Sequence, residues 1–142
     1  MICDTSGILS AFSADQPYHE QCAEALRRDS RRLISPVVLT EVDYLAGKLL
    51  GQRAAIEILR RLSGPEYQIL PYTSGTLATA AEVMTTYADL DLGLVDASLI
   101  AHSRDQDTDD ILTLDQRHFR VVRSLSGRPF RILPFDAEGE PE

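Results

Sequence analysis

The sequence predicts a three-layer α/β domain, a parallel sheet with helices on both faces. Three observations carry that expectation. Short apolar runs alternate with longer stretches of helical periodicity along the chain, the pattern of strands joined by helical crossovers. Breakers close the helical runs at Gly51 and at Gly64-Pro65. The 142 residues, 44% hydrophobic and 25% charged, suit one globular domain with a real core. The sequence contains no internal repeat.

Taken in order, Met1 to Cys3 reads as a short strand and Thr5 to Phe12 as the start of a helix, with Asp4 at the joint. "DQPYHEQCAEALRRDS" reads as a helix with Asp15 as N-cap, Pro17 near its first turn, and Tyr18, Cys22 and Ala25/Leu26 as its buried stripe. "RLIS" is a strand. "PVVLTEVDYLAGKLL" is a helix with Val38, Val42, Leu45 and Leu49 on one face, and the next carries Ala55, Ile58, Leu59 and Leu62. "YQIL" is a third strand. "TSGTLATAAEVMTTYA" follows as a helix with Leu77, Ala81, Met84 and Ala88 in phase. "LGLVDASLIAHS", apolar on most sides and capped by Asp91, reads as a central helix. "DILTL" and "FRILPF" are the last strands.

Charge needs to be located before it is used. The C-terminal "DAEGEPE" (residues 136–142) reads as a disordered acidic tail after a domain of residues 1–135, and it holds four acids, half of the net −8. Four more, Asp105, Asp107, Asp109 and Asp110, crowd one loop and disfavour approach of a polyanion from that side. Five Arg fall between Arg117 and Arg131; Arg117, Arg120 and Arg123 read either as a grip on nucleic-acid phosphates or as solvated surface. The longest charge-free stretch, Tyr67 to Ala81, is 15 residues, too short and polar to span a bilayer. With no secretory pattern, and with Cys3 and Cys22 in core positions, a reducing cytoplasm is the expected location.

The carboxylates carry the chemistry. In parallel sheets ligands collect beyond the carboxyl ends of the strands, where strand order reverses. Asp4 ends the first strand and Asp115 the fourth; if these strands are neighbours, two acids from opposite halves of the chain meet. Asp4 can cap its helix as well. Glu41 borders the buried stripe of its helix and can lean into a cleft. Asp96 sits in the most apolar helix, where an unpaired charge is costly, with no Lys or Arg near it in sequence. Like charges at ~4 Å repel by about 4 kcal/mol at an effective dielectric near 20. Mg²⁺ or Mn²⁺ relieves that repulsion, and an all-carboxylate set argues against zinc. Asp43 and Asp91 read as structural. His19, His102 and His118 are too scattered for a metal set, and none has a Ser or Cys partner motif.

"MICDTSGILSAF", "PVVLTEVDYL", "LGLVDASLIA" and "ILTLDQRHF" together resemble the four motifs of PIN-domain ribonucleases, and more narrowly the VapC-type toxins of bacterial toxin–antitoxin pairs. The resemblance runs in order from residue 1 to about 135. It implies five parallel strands ordered 3-2-1-4-5, so that strands one and four are neighbours. It implies a Mg²⁺- or Mn²⁺-dependent endoribonuclease leaving 5′-phosphate and 3′-hydroxyl ends. Asp4, Asp96 and Asp115 would hold metal, Glu41 would bind metal or position water, and Thr5 or Ser6 and Thr113 would fill the hydroxyl positions. It further implies a homodimer and inhibition by a small cognate antitoxin protein, for which an antitoxin Arg replacing the metal charge is one route.

Other readings are weaker. "DTSG" runs into a helix, whereas the aspartic proteases that share such a motif are all-β. "DQDTDDILTLDQ" lacks the Gly and the final Glu of an EF-hand loop. A phospho-receiver domain would need an Asp ending the third strand and a late Lys, but this chain has "YQILPYT" there and Lys48 as its single Lys. A non-catalytic PIN-like module binding RNA or a partner is the rival from another class; the intact set of four acids speaks against it.

Overall fold

The computed structural model describes residues 1–137. Five strands, β1 (Ile2–Cys3), β2 (Leu33–Ile34), β3 (Gln68–Ile69), β4 (Asp110–Leu112) and β5 (Arg131–Leu133), form one sheet in the order β3-β2-β1-β4-β5. Every pairing is parallel. Helices α1 (Thr5–Phe12), α2 (His19–Arg28), α3 (Pro36–Leu50), α4 (Gln52–Leu62), α5 (Ser74–Thr86), α6 (Leu94–Asp105) and α7 (Gln116–Phe119) supply the crossovers and cover both faces. The expected α/β class, three layers and strand order 3-2-1-4-5 all stand.

The order of strands along the sheet reverses between β1 and β4, which lie side by side and parallel with Cys3 opposite Leu112. The Asp4 amide continues this pairing by donating to the Leu112 carbonyl at 2.9 Å. Gly7 explains how α1 can leave β1 so close to β4. A Cβ there would lie 2.6 Å from Leu112 Cγ and 2.7 Å from the Leu112 carbonyl oxygen, closer than packed atoms tolerate. Ile2, Cys3, Leu33, Ile34, Ile111 and Leu112 are buried, and α6 supplies Ala97, Leu99 and Ile100 to the same core. The helix read as central is therefore the central one.

Several local expectations need correction. The second helix starts at His19, not after Asp15; Tyr18 precedes it in a left-handed conformation, φ 59°. Tertiary contacts set that start: the His19 ring bonds the Ser10 carbonyl at 2.8 Å, and the Tyr18 ring stands edge-on to Phe135. Tyr18 is exposed rather than part of the buried stripe. In α3 the stripe is Val38, Val42 and Ala46, and Leu49 is exposed because the last turn runs past the core. In α5 the phase differs by one residue: Thr76, Ala80 and Val83 face inward, whereas Leu77 and Ala81 face solvent. Small residues allow α5 to pack on α6, and Thr76 closes a capping box with Thr73 at 3.2 Å. Asp91 does not cap α6. It ends a short 3₁₀ turn (Ala88–Leu90) at φ 53°, and Gly93 takes the cap position. Asp43 is exposed on α3.

At the C-terminal end, Asp136 accepts two bonds from the Arg120 guanidinium at 2.7 Å and one from the Ile132 amide at 2.8 Å. Glu138, Glu140 and Glu142, the other acids assigned to the tail, lie outside the described residues. No described helix is long and apolar enough to cross a membrane.

Candidate active site

Asp4 leaves β1 directly into α1 and caps it, its Oδ1 accepting from the Thr5 amide at 2.8 Å. Its Oδ2 accepts from the Thr113 hydroxyl at 2.7 Å, just beyond β4. Thr113 is fully buried and its oxygen also accepts from the Asp115 amide at 3.0 Å. Thr5 donates its hydroxyl to Glu41 Oε1 at 2.7 Å, tying α1 to α3. Ser6 accepts the Leu114 amide at 2.9 Å and contacts Thr113 at 3.3 Å. Both candidate hydroxyls of the first motif are therefore used, Thr5 on Glu41 and Ser6 on the strand-four turn.

Asp115 caps α7, Oδ1 accepting from the amides of Arg117 (3.1 Å) and His118 (3.4 Å). This four-residue helix turns the His118 ring back over its own cap. The ring Nδ1 lies 3.0 Å from Asp96 Oδ2 and 3.5 Å from Asp115 Oδ2. Asp96 sits in the first turn of α6. One pocket is lined by Asp4, Glu41, Asp96 and Asp115, with Ser10, Gln16, Arg117 and His118 around them. A larger cleft between α2 and β5, where Arg28 is already paired with Glu24, gathers no comparable set.

The four acids anticipated from sequence thus converge, and His118 joins them unanticipated. Asp96, Asp115 and His118 offer ligand atoms within 4.8 Å of one another. This corrects two expectations. The cluster is not purely carboxylate, and the partner of Asp96 is an imidazole supplied from 22 residues away. The available signal was spacing: a His three residues after an N-capping Asp lies over that cap. His102 bonds buried Ser35 at 2.8 Å and pins α6 to the start of α3.

No Lys or Arg forms an ion pair with any of the four acids among the described residues. Burial pushes the Asp4 carboxyl up to about 7, with the Thr113 hydrogen bond opposing and the Asp96 and Glu41 charges adding to the rise. Burial also raises Asp96, against the His118 hydrogen bond and with the Asp115 charge. Negative charge crowded into a half-buried pocket, with no Lys or Arg paired to it among the described residues, is the chemistry that takes a hard divalent cation.

The arginines divide differently. Arg120 is committed to Asp136. Arg128 pairs with Asp109 at 2.5 Å and Arg131 with Asp110 at 3.1 Å, so the Arg-rich segment neutralises half of the acidic loop. Arg123 is exposed, and among the described residues its guanidinium reaches only the Gly127 carbonyl, at 3.5 Å. Arg117 is exposed at the rim of the acid pocket.

A doubly wound α/β sheet bearing clustered acids at its switch point is the class of site suited to holding a divalent cation. The PIN domain family matches residues 1–125. Ribonuclease VapC26 of Mycobacterium tuberculosis is 34% identical over 135 residues, covering 94% of this chain and 100% of that protein. The chain belongs to the PIN domain family. Solved structures share the fold. Mycobacterium tuberculosis VapC20, a sarcin-ricin loop cleaving toxin, superposes with a TM-score of 0.75 at 19% identity, over 82% of this chain and 90% of that one. A toxin-antitoxin complex from Klebsiella pneumoniae gives 0.63 at 19% identity, over 87% and 92%. VapBC2 from Rickettsia felis, bound to a promoter DNA fragment, gives 0.66 at 18%, over 87% and 93%.

Proposed function

We propose that this protein is a divalent-metal-dependent endoribonuclease and the toxin of a toxin–antitoxin pair. The observation that carries the proposal is the convergence of Asp4, Glu41, Asp96 and Asp115 on one pocket, in a chain 34% identical to a named ribonuclease. Asp4, Asp96 and Asp115 hold Mg²⁺ or Mn²⁺, and Glu41 holds the cation or orients the attacking water. A bound cation supplies a lowered water pKa and neutralises charge on the scissile phosphate.

The chain's own groups do the positioning. Thr113 aims Asp4 and Thr5 aims Glu41, each through a 2.7 Å hydrogen bond. Arg117 at the rim contacts an RNA phosphate, whereas Arg120 is spent on Asp136. Water adds to phosphorus as the P–O3′ bond breaks, leaving 5′-phosphate and 3′-hydroxyl ends. The proposal includes action on cytoplasmic RNA, a homodimer, and a cognate antitoxin whose Arg occupies the acid pocket.

The test is cleavage of total RNA with Mg²⁺ or Mn²⁺, beside EDTA and Asp96→Asn, with new 5′ ends mapped. Discrete cuts lost in both controls support the enzyme. RNA binding that persists in EDTA and in Asp4→Asn, without cuts, supports a binding module instead.

A further inference from the structure

We infer that His118 is a positioning residue that holds Asp96, and with it Asp115, in the geometry needed to receive the cation. The inference rests on the reading of these carboxylates as a cation site and goes beyond the four acids. Each acid of the pocket has its own donor. Asp4 has the Thr5 amide and the Thr113 hydroxyl. Glu41 has the Thr5 hydroxyl. Asp115 has the amides of Arg117 and His118. For Asp96 the donor among the described residues is the His118 ring alone, at 3.0 Å.

The arrangement is reciprocal. Asp115 Oδ1 caps α7 through backbone amides and so places His118 one turn on. The ring returns over the cap to stand 3.5 Å from Asp115 Oδ2 while bonding Asp96. Two like charges brought together in a half-buried pocket repel. A donor between them offsets that repulsion. A carboxylate only accepts, so the bonded tautomer carries its proton on Nδ1. His118 and both acids are half-buried, so the ring packs in place and Asp96 does not lean into solvent.

Mn²⁺ binding to the full-length protein, read by the loss of the free-ion electron paramagnetic resonance signal, tests this with wild type, His118→Ala and His118→Asn. Asn keeps an N–H donor near the Nδ1 position. Expected are a 10–100-fold weaker affinity in His118→Ala, substantial recovery in His118→Asn, and no directly bonded nitrogen coupling to Mn²⁺ in wild type. Unchanged affinity in His118→Ala overturns the positioning role while the cation site stands. A directly bonded ring nitrogen overturns it by making His118 a ligand. Wild type that binds no Mn²⁺ overturns both this inference and the proposed function. Should His118→Ala fail to fold, nitrogen chemical shifts of the wild-type metal-free ring still decide: the Nδ1–H tautomer supports the inference, and the Nε2–H tautomer overturns it.

Discussion

Raising the pH from about 5 to about 7 in EDTA is expected to destabilise the folded protein by about 2 kcal/mol through Asp4 alone. The residue is only 6% exposed, and burial pushes its ionisation up to about 7 from an ordinary 3.8. In the unfolded chain the same carboxyl ionises near its ordinary value. Between the two values the folded protein keeps a proton that the unfolded chain has lost. Stability therefore falls as pH rises through that window and levels off above it. The whole gap corresponds to about 4 kcal/mol, and about half lies between pH 5 and 7. Asp4→Asn removes the titration. The difference in urea-unfolding free energy between wild type and variant reports Asp4 together with its coupling to the Asp96 charge, and removes the separate contribution of His102, which burial lowers. Wild-type stability should fall relative to Asp4→Asn across the window, and Mg²⁺ at pH 8 should restore stability to wild type alone. Parallel pH profiles for the two proteins would refute the reasoning.

Gly7→Ala is expected to cost about 3 kcal/mol in urea unfolding, because the new methyl meets the Leu112 side chain and backbone at once. Thr113→Val removes the donor to Asp4 Oδ2 and leaves the Asp115 amide without its acceptor. Folding stability at pH 8 should drop by about 2 kcal/mol, and Mn²⁺ affinity by about tenfold. Arg117→Ala should weaken RNA binding in Ca²⁺ and lower its salt slope by about one, with the melting curve unmoved. Arg120→Gln, which breaks an exposed pair with Asp136, should instead change stability by under about 1 kcal/mol and leave the salt slope as it was.

What the sequence disclosed depended on how local each determinant is. Asp4 and Asp115 were legible because each follows a short apolar run, and a strand end is marked by its own residues. Glu41 and Asp96 were legible from helical phase and setting. The phase of α5 was not, because Leu77 outweighs Thr76 on any hydrophobicity ranking. Packing of small residues against α6 and the Thr73–Thr76 box decide in favour of Thr76. The start of α2 depends on Ser10 and Phe135, far from Asp15 in the chain. His118 escaped notice for the same reason: its partner Asp96 belongs to another helix.

The net charge of −8 is a poor guide to where this molecule is negative. Half of it falls at residues 136–142, and Asp136 there is already paired with Arg120. In the acidic loop Asp109 and Asp110 are met by Arg128 and Arg131, so these two arginines are committed to ion pairs. In the pocket the pattern inverts. Hydroxyls, backbone amides and one imidazole orient the four acids, and no Lys or Arg pairs with them among the described residues. Neutral donors fix a carboxylate's direction while leaving most of its charge uncancelled, whereas a guanidinium would fix and cancel it together. An enzyme that must hold a cation needs the first kind of partner; an ordinary salt-bridged surface uses the second. The two kinds of pairing separate site from surface here more sharply than the count of acids does.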